Sequence, residues 1–257
     1  MPKNPLLLLT RMFQKFSAVL KITAWAVIVI IMITACATTD KKALFSETPV
    51  ALVSVASNYD INWKGEKTEP SLLGGTVRRV MRANEDWVIT TSADIIIDEI
   101  EGIIRSNLDL SPLVSLAPKD EVLSSRSYNE ARINPYQQKD GMITPIGYRL
   151  VYYRDRNFFP AFAAETGIKK FLFITLDLTK AMSTGIAKNG TCRARVDMAV
   201  TLKDERGKDL FVKNYDISSI EKTKVNSGAY SQEEFLGLLR DVVNDACLDF
   251  LEDIGKR

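Results

Sequence analysis

The segment Lys169-Lys-Phe-Leu-Phe-Ile-Thr-Leu-Asp-Leu178 is the strongest strand signal in the chain, and the predicted fold is built around it. Its phenylalanine, isoleucine and threonine residues are typical of β-strands. After the tight-turn dipeptide Asn189-Gly190, residues 192–202 alternate between apolar and polar, which predicts a half-exposed strand. Asp204-Glu-Arg-Gly207 predicts a turn into another strand at residues 209–219. Together these elements predict an antiparallel meander late in the chain.

The segments on either side of this meander predict further strands and helices. Upstream, in chain order, we predict a strand, a helix, a strand and two helices, at residues 50–57, 93–107, 112–116, 118–129 and 157–166. Residues 58–80 and 133–156 predict irregular structure. Ser231-Gln-Glu-Glu234 is a capping box that opens a long C-terminal amphipathic helix, whose apolar face is Phe235, Leu239, Val242, Ala246 and Phe250. We therefore predict one α/β layered domain over residues 49–257, with a mixed sheet and flanking helices.

The first 35 residues differ in character from the rest of the chain. They carry four basic residues and no acidic one, and they end in an uncharged apolar segment that begins at Ile22. A basic region, a short apolar run and small residues are typical of a secretory signal. We predict a signal peptide at residues 1–35, with Met12 as the physiological start, and a lipidated tether at residues 36–48.

The signal ends in Ile33-Thr34-Ala35-Cys36, which resembles the lipobox of bacterial lipoproteins. The resemblance implies lipid transfer to the Cys36 thiol, cleavage after Ala35 and acylation of the new amino terminus. Because Ala37 follows Cys36 where enteric inner-membrane lipoproteins carry aspartate, it also implies an outer-membrane location facing the periplasm. One alternative is an uncleaved anchor, but the uncharged residues 22–39 fall short of the roughly 20 that span a membrane. Another is an incidental cysteine in an ordinary signal peptide.

Composition and charge exclude several classes of function. The chain has no histidine, which excludes Ser-His-Asp and Cys-His nucleophiles and histidine-ligated zinc. Without the first 35 residues, 30 basic residues face 32 acidic ones, so no basic patch is expected and no nucleic acid is predicted as a partner. We predict a non-enzymatic protein with no catalytic, metal or cofactor site. The acids Asp94, Asp98 and Glu101 lie opposite the isoleucines of the first helix, which predicts a solvated helix surface.

Two other sets of residues are candidates for specific roles. Cys192 and Cys247 are the only cysteines after Cys36, and in an exported protein they form either a disulfide or two buried free thiols. The segment Tyr148-Arg-Leu-Val-Tyr-Tyr-Arg-Asp-Arg-Asn-Phe-Phe-Pro-Ala-Phe162 is rich in tyrosine and arginine, which are enriched at protein interfaces. We predict a partner interface there, formed by Tyr148, Arg149, Tyr152, Tyr153, Arg154 and Arg156. The alternative is that these aromatic side chains fill the core.

The order of elements resembles the CsgG/LpoB/TolB-amino-terminal group of envelope proteins. The phrase Ala164-Glu-Thr-Gly-Ile-Lys-Lys-Phe-Leu-Phe-Ile174 is similar to that group's helix-end glycine, and Val196-Asp-Met-Ala-Val-Thr-Leu-Lys-Asp-Glu-Arg-Gly-Lys-Asp-Leu-Phe-Val212 is similar to its late hairpin. The resemblance implies a lipid-anchored envelope protein that binds or regulates another envelope protein or cell-wall component. The alternative it implies is an oligomeric export-channel subunit of the CsgG type. Such a channel needs alternating segments of about 9–11 residues, which residues 148–156 do not supply cleanly.

Overall fold

The computed structural model describes residues 41–64, 87–186 and 189–256. The predicted signal peptide, its start at Met12, the lipobox cysteine Cys36 and residues 37–40 of the predicted tether lie outside the described residues. From Lys41 onward, the described residues form one compact unit with its own core.

A mixed sheet runs through the centre of this unit. Its strands are β1 Val50–Asn58, β2 Asp60–Trp63, β3 Trp87–Val88, β4 Thr91–Ser92, β5 Met142–Ile143, β6 Lys170–Ile186, β7 Asn189–Asp204, β8 Asp209–Ser218, β9 Thr223–Asn226 and β10 Ala229–Ser231. The order across the sheet is β3-β10-β9-β7-β6-β1-β5, with β8 paired to β7 alone and β2 paired to β6 and β4. Strands β1 and β6 are parallel, whereas β6, β7 and β8 are antiparallel neighbours. The predicted mixed sheet with a late meander is therefore confirmed.

Helices flank the sheet on both faces. They are α1 Lys41–Ser46, α2 Ile97–Leu110, α3 Lys119–Ser124, α4 Arg126–Glu130, α5 Pro135–Lys139, α6 Phe158–Thr166 and α7 Gln232–Gly255, and a 3-10 turn, Ala93–Ile95, precedes α2. Helix α7 begins where the capping box predicts it, because the Ser231 hydroxyl accepts a hydrogen bond from the Glu234 amide at 3.4 Å. The Glu234 carboxylate accepts from the Thr223 hydroxyl instead of the cap amide. No helix in these described stretches is long and apolar enough to cross a membrane.

Each face of the sheet has its own apolar core. On one face the isoleucine stripe of α2 and the predicted apolar face of α7 are buried against the even-numbered side chains of β6 and β7. On the other face α6 packs Phe158, Phe159 and Phe162 against Phe171 and Phe173. The rings of Phe159 and Phe171 meet edge to face with centroids 5.2 Å apart, a favourable aromatic arrangement.

Three predicted elements are wrong in detail. Residues 112–116 form no strand, because a turn follows α2 and only Leu116 makes a bridge, to Val50. The helix predicted at residues 118–129 is two helices, since Ser125 is extended (φ −63°, ψ 142°) and caps the second one. Asn189 and Gly190 are strand residues paired with Ile186 and Gly185, so they are not the predicted turn dipeptide. The six short strands, β2, β3, β4, β5, β9 and β10, lie outside the strands that the sequence predicts.

Helix α1 is fastened to the end of the sheet from which β1 starts. Phe45 is fully buried and packs edge to face on Phe211 and Phe250, with ring centroids 5.5 and 5.4 Å away. The Lys170 ammonium donates to the Ala43 and Leu44 carbonyl oxygens at 3.3 and 2.5 Å. The first described residues are thus a fixed part of the domain.

We predict that Phe45→Ala loosens this attachment and lowers the free energy of unfolding by about 3–5 kcal/mol, because it leaves a cavity between two aromatic rings. Urea denaturation monitored by circular dichroism would measure the change. The matched control is Tyr136→Ala, since Tyr136 is 65% exposed and its truncation should cost less than about 0.5 kcal/mol. Equal losses in the two variants would contradict the prediction.

Candidate functional site

The predicted interface segment is divided between the interior and the surface. Tyr148 is buried, with its hydroxyl donating to Glu101 Oε1 at 3.1 Å and accepting from Arg105 at 3.2 Å. Burial raises the pKa of Tyr148 to about 12, which keeps that hydroxyl protonated. Glu101 also binds the Lys119 ammonium at 3.0 Å. Tyr148 therefore belongs to an interior polar cluster, which removes it from the predicted interface.

Glu101 is buried, so the prediction that it lies on a solvated helix surface is wrong. It is buried because α3 and the chain around Tyr148 pack over this side of α2 and bring Lys119 and Arg105 to its carboxylate. Asp98, on the same side of the helix, accepts the Ile146 amide at 2.7 Å. These carboxylates hold the chain after α5 against α2.

Arg149 is likewise used by the fold. Its amide donates to the Tyr128 hydroxyl at 2.8 Å, and its guanidinium donates to the Tyr128 and Asn129 carbonyl oxygens. Its own carbonyl oxygen accepts from Ser54 at 3.1 Å. Arg149 ties α4 to β1, so its role in the structure is positional.

The remaining four predicted residues lie together at the surface. Tyr152 and Tyr153 are half-buried and meet edge to face with centroids 5.7 Å apart. The Arg154 guanidinium lies 5.3 Å from the Tyr153 ring centroid, within the range of a cation–π contact. Arg154 and Arg156 are exposed. We call Tyr152, Tyr153, Arg154 and Arg156 the tyrosine–arginine surface.

A groove of about 570 Å³ adjoins this surface. We call it the basic groove, and the side chains that give it its character are Tyr153, Arg154, Arg156, Lys203, Arg206 and Lys208. The expectation of no basic patch is therefore wrong. The cations come from two segments about fifty residues apart, the chain before α6 and the β7–β8 turn, and they meet because α6 packs on β6 next to that turn.

The predicted pair Cys192 and Cys247 consists of two buried free thiols, so the disulfide is not formed. Cys192 is paired with Thr223, whose hydroxyl donates to Glu234 in the first turn of α7. Cys247 lies more than three turns further along α7, about 20 Å at 1.5 Å per residue. A disulfide requires Cα atoms about 4.4–6.8 Å apart. The separation along α7 is much larger, so both thiols stay free.

Acidic residues also meet on the open face of the sheet. Asp177 lies opposite Asp197 across β6 and β7, and Asp197 lies opposite Asp216 across β7 and β8. Burial, and then the charge of Asp197, raises the pKa of Asp177 above its ordinary value. In the part of the chain that the structure describes, no three acidic or cysteine side chains come together as a metal site would require.

Comparison with known proteins gives structural likenesses only. Lipoprotein GNA1162 from Neisseria meningitidis is 13% identical, over 79% of this chain and 99% of its own, with a TM-score of 0.33. Protein CT253 from Chlamydia trachomatis is 11% identical over 80% and 97%, with a TM-score of 0.33. The C-terminal domain of LpoB from Salmonella enterica is 9% identical over 66% and 82%, with a TM-score of 0.21.

No protein-family model matches the sequence, and no curated protein matches it either. TM-scores as low as these do not establish a shared fold. The resemblance to the CsgG/LpoB/TolB-amino-terminal group therefore stays a prediction, and the function proposed below rests on residues of this chain.

The two thiols provide a direct test of this part of the structure. Burial raises the pKa of Cys192 to about 11 and that of Cys247 to about 12. These pKa values lower the thiolate fraction at neutral pH about a hundredfold for Cys192 and about a thousandfold for Cys247, so we expect both to react slowly with iodoacetamide in the folded protein. After unfolding without reductant, the mature protein should titrate two thiols. A titration of none, with mobility that changes on reduction, would show a disulfide instead.

Proposed function

We propose that this protein is a lipid-anchored component of the bacterial envelope whose domain faces the periplasm and binds another envelope component. One observation carries the proposal: the lipobox cysteine Cys36 stands only five residues before α1, which is fastened to the sheet. A lipid on Cys36 would therefore hold one defined end of the domain against a membrane.

The length of chain between Cys36 and Lys41 supports this arrangement. Five residues span at most about 18 Å when fully extended. Lys41 itself binds the Asp253 carboxylate at 3.0 Å, and Phe45 is buried four residues later. Two or three acyl chains bind a membrane far more firmly than one, so such an anchor would be stable.

The tyrosine–arginine surface is the part of the domain that we propose for partner binding. Tyrosine and arginine dominate the energetics of protein interfaces because each combines a large apolar area with a polar or charged group. Tyr152 and Tyr153 hold each other's rings in place, and Arg132 lies 5.3 Å from the Tyr152 ring centroid. Ordered aromatic side chains lose little conformational entropy on binding. The proposal includes no catalytic role.

The location within the envelope follows from the residue after the modified cysteine. Ala37 stands where enteric lipoproteins of the inner membrane carry aspartate. We therefore propose the outer membrane as the site of anchoring.

The anchor is tested by Cys36→Ser in the full chain, expressed with radiolabelled palmitate. We expect the native chain to incorporate label and to lose its signal peptide, and Cys36→Ser to do neither, because the acylated thiol is gone. Cys247→Ala is the matched control and should be labelled normally, since its thiol is buried in the domain. Ala37→Asp should move the labelled protein from the outer-membrane to the inner-membrane fraction. Labelling of Cys36→Ser would refute the anchor.

Partner binding is tested by the double variant Tyr152→Ser/Tyr153→Ser. We expect it to fold and to reach the membrane but to lose the dominant protein that is crosslinked to the native chain in envelopes. Tyr136→Ser is the control, because Tyr136 is an exposed tyrosine of α5 that does not belong to the tyrosine–arginine surface. An unchanged crosslinking pattern in the double variant, with native circular dichroism, would remove this surface from the proposal.

A further inference from the structure

We propose that the basic groove faces the membrane that carries the anchor and binds the phosphate groups of its anionic lipids. This inference rests on the proposed anchor at Cys36 and names a second ligand for the same end of the domain. It follows from three features of the described residues. Within those residues, the exposed cations of the groove form no ion pairs, the nearby carboxylates are held by other groups of the protein, and the groove lies beside the start of the domain.

Four cations of the groove are available to an external anion. Arg154, Arg156, Arg206 and Lys208 are exposed, and within the described residues none of them forms an ion pair. Lys203 differs, because it is buried beneath them and binds the Asp209 carboxylate and the Gly207 carbonyl oxygen. Lys203 therefore shapes the groove, while the other four side chains give it its exposed positive charge.

The acids near the groove are engaged by the protein itself. Asp204 accepts the amides of Arg206 and Lys208 at 2.9 and 2.8 Å, which fixes the β7–β8 turn. Glu205 binds the Lys169 ammonium at 3.4 Å. Asp155 accepts the Arg132 and Asn157 amides at 3.2 and 3.1 Å. These carboxylates orient the backbone that carries the cations and leave the guanidinium and ammonium groups facing outward.

The groove lies beside the end of the domain that the anchor would hold. A second cavity, of about 630 Å³, is lined by Thr48 and Pro49, where the chain enters β1, and by Arg206 of the β7–β8 turn. Arg206 thus belongs to both cavities. Five Cα–Cα steps separate Cys36 from Lys41 at the start of α1, so the anchor would keep Lys41 within about 18 Å of the lipid headgroups.

Electrostatics and geometry both favour a lipid phosphate as the ligand. A guanidinium binds phosphate through two parallel hydrogen bonds, and the groove holds three of them in Arg154, Arg156 and Arg206. Tyr153 contributes an aromatic ring with a polar end, the type of side chain that settles at a membrane interface. Each arginine or lysine close to an anionic membrane surface strengthens binding about fivefold. A soluble acidic protein would have to reach the groove by diffusion. The anchor, in contrast, would hold the groove close to the membrane at all times.

The test uses the chain from Ala37 to Arg257, without the signal peptide and Cys36. Both apolar cores and every strand and helix named above lie within residues 41–256, so this chain carries everything that holds the domain together. Sedimentation with vesicles would measure its partition onto phosphatidylcholine alone and onto phosphatidylcholine with phosphatidylglycerol. We expect binding only to the second, and we expect it to weaken at high salt, because the Debye length falls to about 3 Å at 1 M.

The decisive variant is Arg206→Gln/Lys208→Gln, which removes two cations but keeps the turn, since Asp204 holds the turn through the backbone amides of these two residues. We expect about 25-fold weaker binding to the anionic vesicles, fivefold for each residue. The matched control is Lys222→Gln/Lys224→Gln. It makes the same change of charge on two exposed lysines near β9, at the opposite end of β7, and should bind like the native chain.

The outcomes separate this inference from the proposed anchor. Equal binding of the two double variants, or equal binding to both kinds of vesicle, would overturn the inference while palmitate labelling of Cys36 still upheld the anchor. Binding to soluble glycerol phosphate or polyglutamate without binding to vesicles would also overturn it, in favour of a free phosphate or an acidic protein. Selective binding to anionic vesicles together with unlabelled Cys36 would leave the groove's lipid affinity standing and remove the anchor.

Discussion

The structure depends on one constraint: strand β6 carries large apolar side chains on both of its faces, and both faces must be covered. Leu172, Ile174 and Leu176 point to one side, where α2 and α7 exclude water from them. Phe171 and Phe173 point to the other side, where the three phenylalanines of α6 cover them. Since burial of a large apolar side chain contributes about 1.5–3 kcal/mol, neither helix layer can be removed without loss of the fold.

The layer formed by α6 covers only part of its face of the sheet, and Tyr153 of the tyrosine–arginine surface lies at the edge of that layer. It ends after Phe173, because the odd-numbered positions that follow in β6 are Thr175 and Asp177, which tolerate water. Tyr153 packs at the margin of the phenylalanine cluster, and the chain around it leads into α6. Tyr153 lies beside Phe173 and Thr175, where this apolar layer gives way to an open polar sheet. Such margins let aromatic side chains be held by the core on one side and reach solvent on the other.

The sequence predicts the long elements well and the short ones poorly. Strands β6, β7 and β8 and helix α7 are long enough for their periodicity to be unambiguous. The β9–β10 hairpin was missed because its strands are four and three residues long. A signal for it exists in Asn226-Ser-Gly228, since Ser227 and Gly228 both have positive φ, 50° and 82°, as a type I′ hairpin turn requires. The helix break at Ser125 depends on a side-chain cap that local propensity does not reveal.

The functional surface was predicted only in part, for a reason that concerns distance along the chain. The tyrosine- and arginine-rich segment was identifiable from composition. Tyr148 nevertheless turns inward, because its hydroxyl forms hydrogen bonds with Glu101 and Arg105, which lie more than forty residues earlier in the chain. The basic groove was not identifiable at all, since a net charge near −2 says nothing about how charges are placed. If this groove lies against lipid headgroups, Tyr152 and Tyr153 also lie close to the membrane surface. A partner that reaches them must then approach along the membrane surface, which favours an envelope component that is itself bound to that membrane.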